Sequence, residues 1–137
     1  MLRYLIIFVF ISYFPKALAF EILKFNGKVE YSFDNKSWEK LLLKQKLKSG
    51  VWIKTGPKAK VTLLLPNRTQ TILSRNTTVQ LNDNQKEKTT GIKLNMGKIW
   101  SKTNKKPVKI KLKAPNAVAS IRGTEWIYEV DSNQGSS

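Results

Sequence analysis

The sequence predicts an all-β domain after residue 19, with short strands forming a β-roll or solenoid-like sandwich and no long helix. Three observations carry this. Short runs alternate apolar and polar residues or are rich in β-branched ones, as in Val108 to Lys113 (VKIKLK) and Lys60 to Leu65 (KVTLLL). Turn residues punctuate these runs at roughly 8–12-residue spacing. No segment sustains a helical period over a normal helix length.

In chain order, Phe20 to Phe25 is an apolar-rich run that ends at Asn26-Gly27, a tight-turn pair. Lys28 to Phe33 then alternates and sets Val29, Tyr31 and Phe33 on one face. After the turn Asp34 to Ser37, Trp38 to Lys44 has the periodicity of a helical turn or two, bounded closely by turns. Gly50 and Gly56 frame the strand around Val51-Trp52-Ile53. Lys60 to Leu65 closes at Pro66-Asn67, and two β-branched runs follow, Thr69 to Leu73 and Thr77 to Leu81. Asn82 to Thr90 reads as a polar loop. Gly91 to Met96 points Ile92, Leu94 and Met96 one way before Gly97 turns the chain into Lys98-Ile99-Trp100. Ser101 to Pro107 reads as a basic loop. In Val108 to Lys113, Val108, Ile110 and Leu112 face inward while Lys109, Lys111 and Lys113 face out. Glycine–strand–glycine units recur at Gly50 to Gly56 and Gly91 to Gly97 without a strict repeat.

Residues 1–19 read as a signal peptide. Arg3 supplies the basic start, Tyr4 to Phe14 the apolar stretch and Ala17-Leu18-Ala19 the small-x-small cleavage pattern. The eleven apolar-stretch residues reach only about 16 Å as a helix, roughly half a hydrocarbon core. Export to the periplasm or the extracellular space follows, with no stable membrane insertion once the segment is cleaved. The remaining residues, 20–137, make one domain of ordinary size. There is no cysteine, so neither a disulfide nor a lipid-attachment site is available.

The full chain carries a formal charge of +16, and removing Arg3 and Lys16 with the leader lowers it to +14. Such a field attracts anionic polymers and surfaces. Abundant lysine, asparagine and isoleucine are equally what AT-rich codons write at surface positions. With no His and no Cys, the commonest general base, the thiol nucleophile and most transition-metal ligands are missing, so neither an enzyme nor a cofactor site is expected. Glu125 and Glu129 lie about 13 Å apart along one strand face, too far for a glycosidase pair. Trp52, Trp100 and Trp126 beside lysine-rich faces resemble a nucleic-acid stacking surface. Tryptophans in a small β domain are more often core residues, and an exported protein meets little nucleic acid. Lys109, Lys111 and Lys113 form a row at about 6.6 Å spacing that suits a polyanion; the same pattern suits edge lysines that block strand aggregation.

Ala114 to Val130 (APNAVASIRGTEWIYEV) concentrates the special residue types. Pro115 ends the preceding strand. Gly123 reads as a bend or a close backbone approach. Arg122 has five donors with which to tie strand ends together, and Thr124 can bond locally; a ligand contact by Arg122 is the alternative.

These residues resemble the FecR domain, named for the sensor of bacterial ferric-citrate uptake. Asn26-Gly27-Lys28-Val29 through Trp38 looks like its opening hairpin. Leu47 to Gly56, with Gly50, Ile53, Thr55 and Gly56 in place, is similar to its Leu-x-x-Gly-x-x-Ile-x-Thr-Gly motif. Lys60 to Leu65 with Asn67 resembles the strand and turn that follow. Ile92 to Ile99 with Gly97 looks like its strand-Gly-strand unit. Ala114-Pro115 and Arg122-Gly123-Thr124-Glu125-Trp126 are similar to its signature, usually Thr-Pro…Arg-Gly-Thr-x-Phe. The resemblance implies a non-catalytic binding domain that recognises an envelope component or a protein partner. A basic polyanion-binding domain, or a signalling module working with a separate membrane protein, are the alternatives. Family sensors that control sigma factors place a cytoplasmic segment and a membrane span before this domain; here a leader directly precedes it. The family pattern also continues past the Arg-Gly-Thr strand with a further hairpin, which residues 131–137 only begin. The domain is therefore expected to lack its last hairpin, leaving Glu125 to Val130 as an open edge for strand addition.

Overall fold

A computed structural model describes residues 20–84, 89–103, 108–123 and 125–130. The leader expected at 1–19, the tail after Val130 and Thr124 of the signature lie outside the described residues. Described are the strands β1 (Phe20–Asn26), β2 (Val29–Ser32), β3 (Glu39–Lys40), β4 (Lys46–Leu47), β5 (Val51–Thr55), β6 (Lys60–Leu64), β7 (Gln70–Leu73), β8 (Thr78–Asn84), β9 (Thr89–Lys102), β10 (Val108–Ala114), β11 (Ala117–Gly123) and β12 (Glu125–Val130). The domain is all-β.

The strands form two sheets that share β9. One runs β4-β1-β6-β7-β9-β12 and the other β3-β2-β5-β8-β9-β10-β11. All pairings are antiparallel except β9 with β10. The inward faces enclose one apolar cluster that includes Phe20, Ile22, Leu47, Ile53, Leu63, Leu73, Leu81, Ile92, Leu94, Ile99 and Ile110, each at most 1% exposed. Strand alternation builds this cluster: the β5 pattern puts Val51, Ile53 and Thr55 inside and leaves Trp52 and Lys54 outside.

Several expectations need correction. Trp38 to Lys44 is not helical; Glu39–Lys40 joins β2 as a short strand and a turn leads on to β4. Phe33 is 56% exposed, because β2 ends at Ser32 and Asp34 begins a turn held by its own carboxylate. Asn82 to Thr90 is not wholly a loop: β8 pairs with β9 out to Asn84 and Thr89. Met96 stays outside the core because a bulge between Thr78 and Val79 shifts the register beside it. Ser101 and Lys102 belong to β9 and not to a basic loop. In β10, Ile110 and Leu112 are buried as anticipated; the Val108 side chain and residues 104–107 lie outside the described residues.

The largest correction concerns Gly97. The chain does not reverse there. β9 continues for fourteen residues and crosses from one sheet to the other, with Thr89–Met96 beside β8 and Gly97–Lys102 beside β7 and β12. Gly97 sits at the crossing with φ +111°, a left-handed conformation that a Cβ disfavours. Gly27 makes the corresponding corner between β1 and β2 at φ +73°, where a Cβ would lie 2.8 Å from the Ala59 Cα.

Candidate functional site

Two groups of residues emerge from this geometry. The first is a corner that ties the sheets together. The Thr55 hydroxyl donates to the Ser74 carbonyl (2.6 Å) and accepts from the Thr77 amide (2.9 Å). The Gly56 amide donates to the Lys28 carbonyl, and the Gly56 carbonyl accepts from the Asn76 amide. The Thr77 hydroxyl accepts from the Lys98 amide (3.1 Å) and donates to the Arg75 carbonyl (3.0 Å). A Cβ on Gly97 would collide with Thr77, its Cα only 2.5 Å away. Thr55, Gly56 and Gly97, distant in sequence, thus meet around Thr77. Thr77 itself was not singled out from sequence, where it reads as one β-branched residue among many.

The other signature residues lie elsewhere. Gly50 is at the opposite end of β5, where its amide donates to Leu81 and its carbonyl accepts from the Gln80 side chain. Pro115 and Asn116 form the turn between β10 and β11, closed by Ala114 opposite Ala117. Trp126 faces inward and packs against the core. Gly123 has an ordinary φ and open space where a Cβ would be, so it is neither a bend nor a close approach. Arg122 is exposed on β11 opposite Lys109, and among the described residues its guanidinium makes no hydrogen bond or ion pair. Among the described residues it ties no strand ends together.

The second group is a basic face. On β10, Lys109, Lys111 and Lys113 are all exposed. β10 is not an edge strand; it lies between β9 and β11. That removes the reading of these lysines as edge protectors and supplies them with neighbours. Lys113 is in register with Lys93 on β9, and Lys109 with Arg122 on β11. Residues in register share a face, about 4.8 Å apart across strands and about 6.6 Å from each to the next outward residue along a strand. Lys93, Lys109, Lys111, Lys113 and Arg122 therefore form one continuous cationic band. Across β8 to β11 no described residue on this outer face is a carboxylate; Asp83 points inward, its carboxylate accepting from the Thr90 hydroxyl and its backbone amide donating to the Ser49 hydroxyl. Sequence spacing finds the β10 row, and only the parallel pairing with β9 brings Lys93 to it.

The aromatic residues divide among faces. Lys93 lies 5.5 Å over the Trp52 ring and Lys54 4.1 Å over the Trp38 ring, on the flank of the basic face. Trp100 is on the outer face of the other sheet, its indole donating to Glu125 (3.0 Å). Trp126 is turned inward. The three tryptophans that suggested a stacking surface do not share one.

The all-β scaffold thus combines a stitched corner with a cationic face. The chain belongs to the FecR protein family: the family model, described as FecR protein, matches residues 52–137, from Trp52 in β5 onward. The similarities noted at Asn26 to Trp38 and Leu47 to Val51 fall ahead of that span. Domains of this family are regulatory or signalling modules of the periplasm. No curated protein and no solved structure matches the chain. Among the described residues no helix is long and apolar enough to cross a membrane.

Proposed function

We propose that this protein is an exported, non-catalytic binding domain that recognises an anionic component of the cell envelope, a polymer or an acidic protein partner, through the outer face of β9, β10 and β11. The observation that carries the reading is the band of Lys93, Lys109, Lys111, Lys113 and Arg122, in register and without a carboxylate among the described residues of that face across β8 to β11. Five like charges on neighbouring strands repel one another, and a bound polyanion relieves that repulsion. Most of these side chains are lysines, which act as point charges and favour charge over a fixed bidentate geometry. The test is a salt titration of binding to a linear polyanion such as heparin. Affinity that falls steeply with salt supports the reading; a flat response, or no binding at low salt, refutes it.

A second reading concerns strand addition. β12 pairs with β9 on one flank, and no described strand covers its other flank. Among the described residues that leaves backbone donors and acceptors of Glu125 to Val130 facing a partner strand, the mode by which a signalling module would engage a membrane protein. Hydrogen exchange measured with and without envelope extract tests this: protection confined to residues 125–130 supports strand addition, and unchanged exchange there refutes it.

A further inference from the structure

The turn between β3 and β4 presents two leucines to solvent at the edge of the molecule farthest in strand order from the basic face. Leu42 is 67% and Leu43 60% exposed. They do not hang on a loose loop. Leu41 before them is buried in the core, and its amide donates to the Val29 carbonyl. The turn closes on itself, with the Gln45 amide donating to the Leu42 carbonyl and the Gln45 side chain accepting from the Leu42 amide. After it, segment 44–45 exchanges two backbone hydrogen bonds with Ile22. Leu23, next to Ile22 at a β1 bulge, is also partly exposed at 37%. Lys44 is in the turn, Lys40 and Lys46 flank it in β3 and β4, and Lys24 follows Leu23 on β1; all four are exposed. Of the nearby carboxylates, Glu39 accepts from the Tyr31 hydroxyl, and Glu21 lies in register with Lys46.

We infer that this turn is a peripheral docking site for an anionic phospholipid surface, with Leu42 and Leu43 entering the headgroup–acyl boundary and the four lysines contacting lipid headgroups. The tip is too small for a specific protein interface, which needs about 800 Å² from each partner. A few apolar side chains with a basic rim suffice for reversible attachment to an anionic bilayer, where insertion and charge attraction add. The rigid backbone keeps the leucines exposed before binding, so little ordering is needed on contact. Lysine side chains suit the rim, since their stems lie along apolar surface while the ammonium groups stay in water. This inference is independent of the basic face on β9 to β11.

The experiment uses the chain from Phe20 onward, the span that holds every residue of the described core. Co-sedimentation is measured with vesicles of phosphatidylcholine containing phosphatidylglycerol and with vesicles of phosphatidylcholine alone. Anionic vesicles should bind the protein and neutral ones should not. The double variant Leu42→Ser/Leu43→Ser should bind anionic vesicles about tenfold more weakly or worse, while the double variant Lys98→Gln/Lys102→Gln, exposed on the other sheet away from both the tip and the basic face, should stay within about threefold of the parent. Thermal melts matching the parent confirm that both variants fold. Wild-type-like binding by the leucine variant overturns the inference, as does equal binding to neutral vesicles or no vesicle binding at all. A parent dimer in lipid-free solution that the leucine variant abolishes would assign the tip to self-association and overturn it too.

Discussion

Gly97 and Thr77 are pressed together so closely that the glycine has no room for a side chain. The Thr77 hydroxyl takes the Lys98 amide proton one residue beyond, so the crossing of β9 between sheets is fixed by a contact and a hydrogen bond at the same place. Gly97→Ala meets both a left-handed backbone and a collision with backbone atoms of Thr77. It should destabilise the domain by about 3 kcal/mol or more in chemical denaturation. Gly123→Ala, with open space and ordinary φ, should change stability by no more than about 0.5 kcal/mol.

Thr55→Val removes the acceptor of the Thr77 amide inside a fully buried corner. An N–H left without a partner there should cost about 1–3 kcal/mol. Thr55→Ser keeps the hydroxyl and should recover most of that loss, which a valine-sized packing effect alone would not predict.

Asp34 accepts hydrogen bonds from the Lys36 and Ser37 amides and the Ser32 hydroxyl, each 2.8 Å, and the two amides first and the hydroxyl next lower its pKa from 3.8 to about 2. Because the folded pKa lies below the unfolded one, the bonds to the carboxylate stabilise the turn fully above about pH 4 to 5 and are lost as pH falls towards 2. A carboxyl-carbon NMR titration should place the Asp34 midpoint near that lowered value. Asp34→Asn should flatten the acid limb of stability between those limits; an unchanged limb would show that the turn does not feel the charge.

Lys93 and Lys113 are paired across the parallel β9–β10 ladder. Lys93→Gln should therefore weaken polyanion binding as much as Lys113→Gln, and each should lower the slope of log affinity against log salt by roughly 0.7–0.9. Lys60→Gln, beside Asn26 on the other sheet, should leave the slope unchanged. Equal effects from all three would mean that net charge and not the face governs binding.

The strand content and much of the core could be read from sequence because alternation is a local property: Val51, Ile53, Ile110 and Leu112 announce their burial within a few residues. The outward row Lys109, Lys111 and Lys113 was legible for the same reason. Phe33 and Met96 misled because the strand end at Ser32 and the bulge at Thr78 depend on pairing partners far along the chain. Arg122 and Gly123 misled because rare residue types imply constraint, whereas their positions on an exposed strand impose little.

What the sequence determined by itself is the class: an all-β, cysteine-free, strongly basic domain with the FecR signature and with turns at Gly27 and Pro115. What only the tertiary structure decided is which distant residues share a surface. It carried β9 through Gly97 instead of turning it, and it set β10 parallel to β9, so that Lys93 and Arg122 flank the lysine row. It also lifted Leu42 and Leu43 onto an anchored turn. Register and crossover are long-range properties: backbone hydrogen bonds between segments tens of residues apart fix them, and no local residue pattern encodes which segment will be the partner.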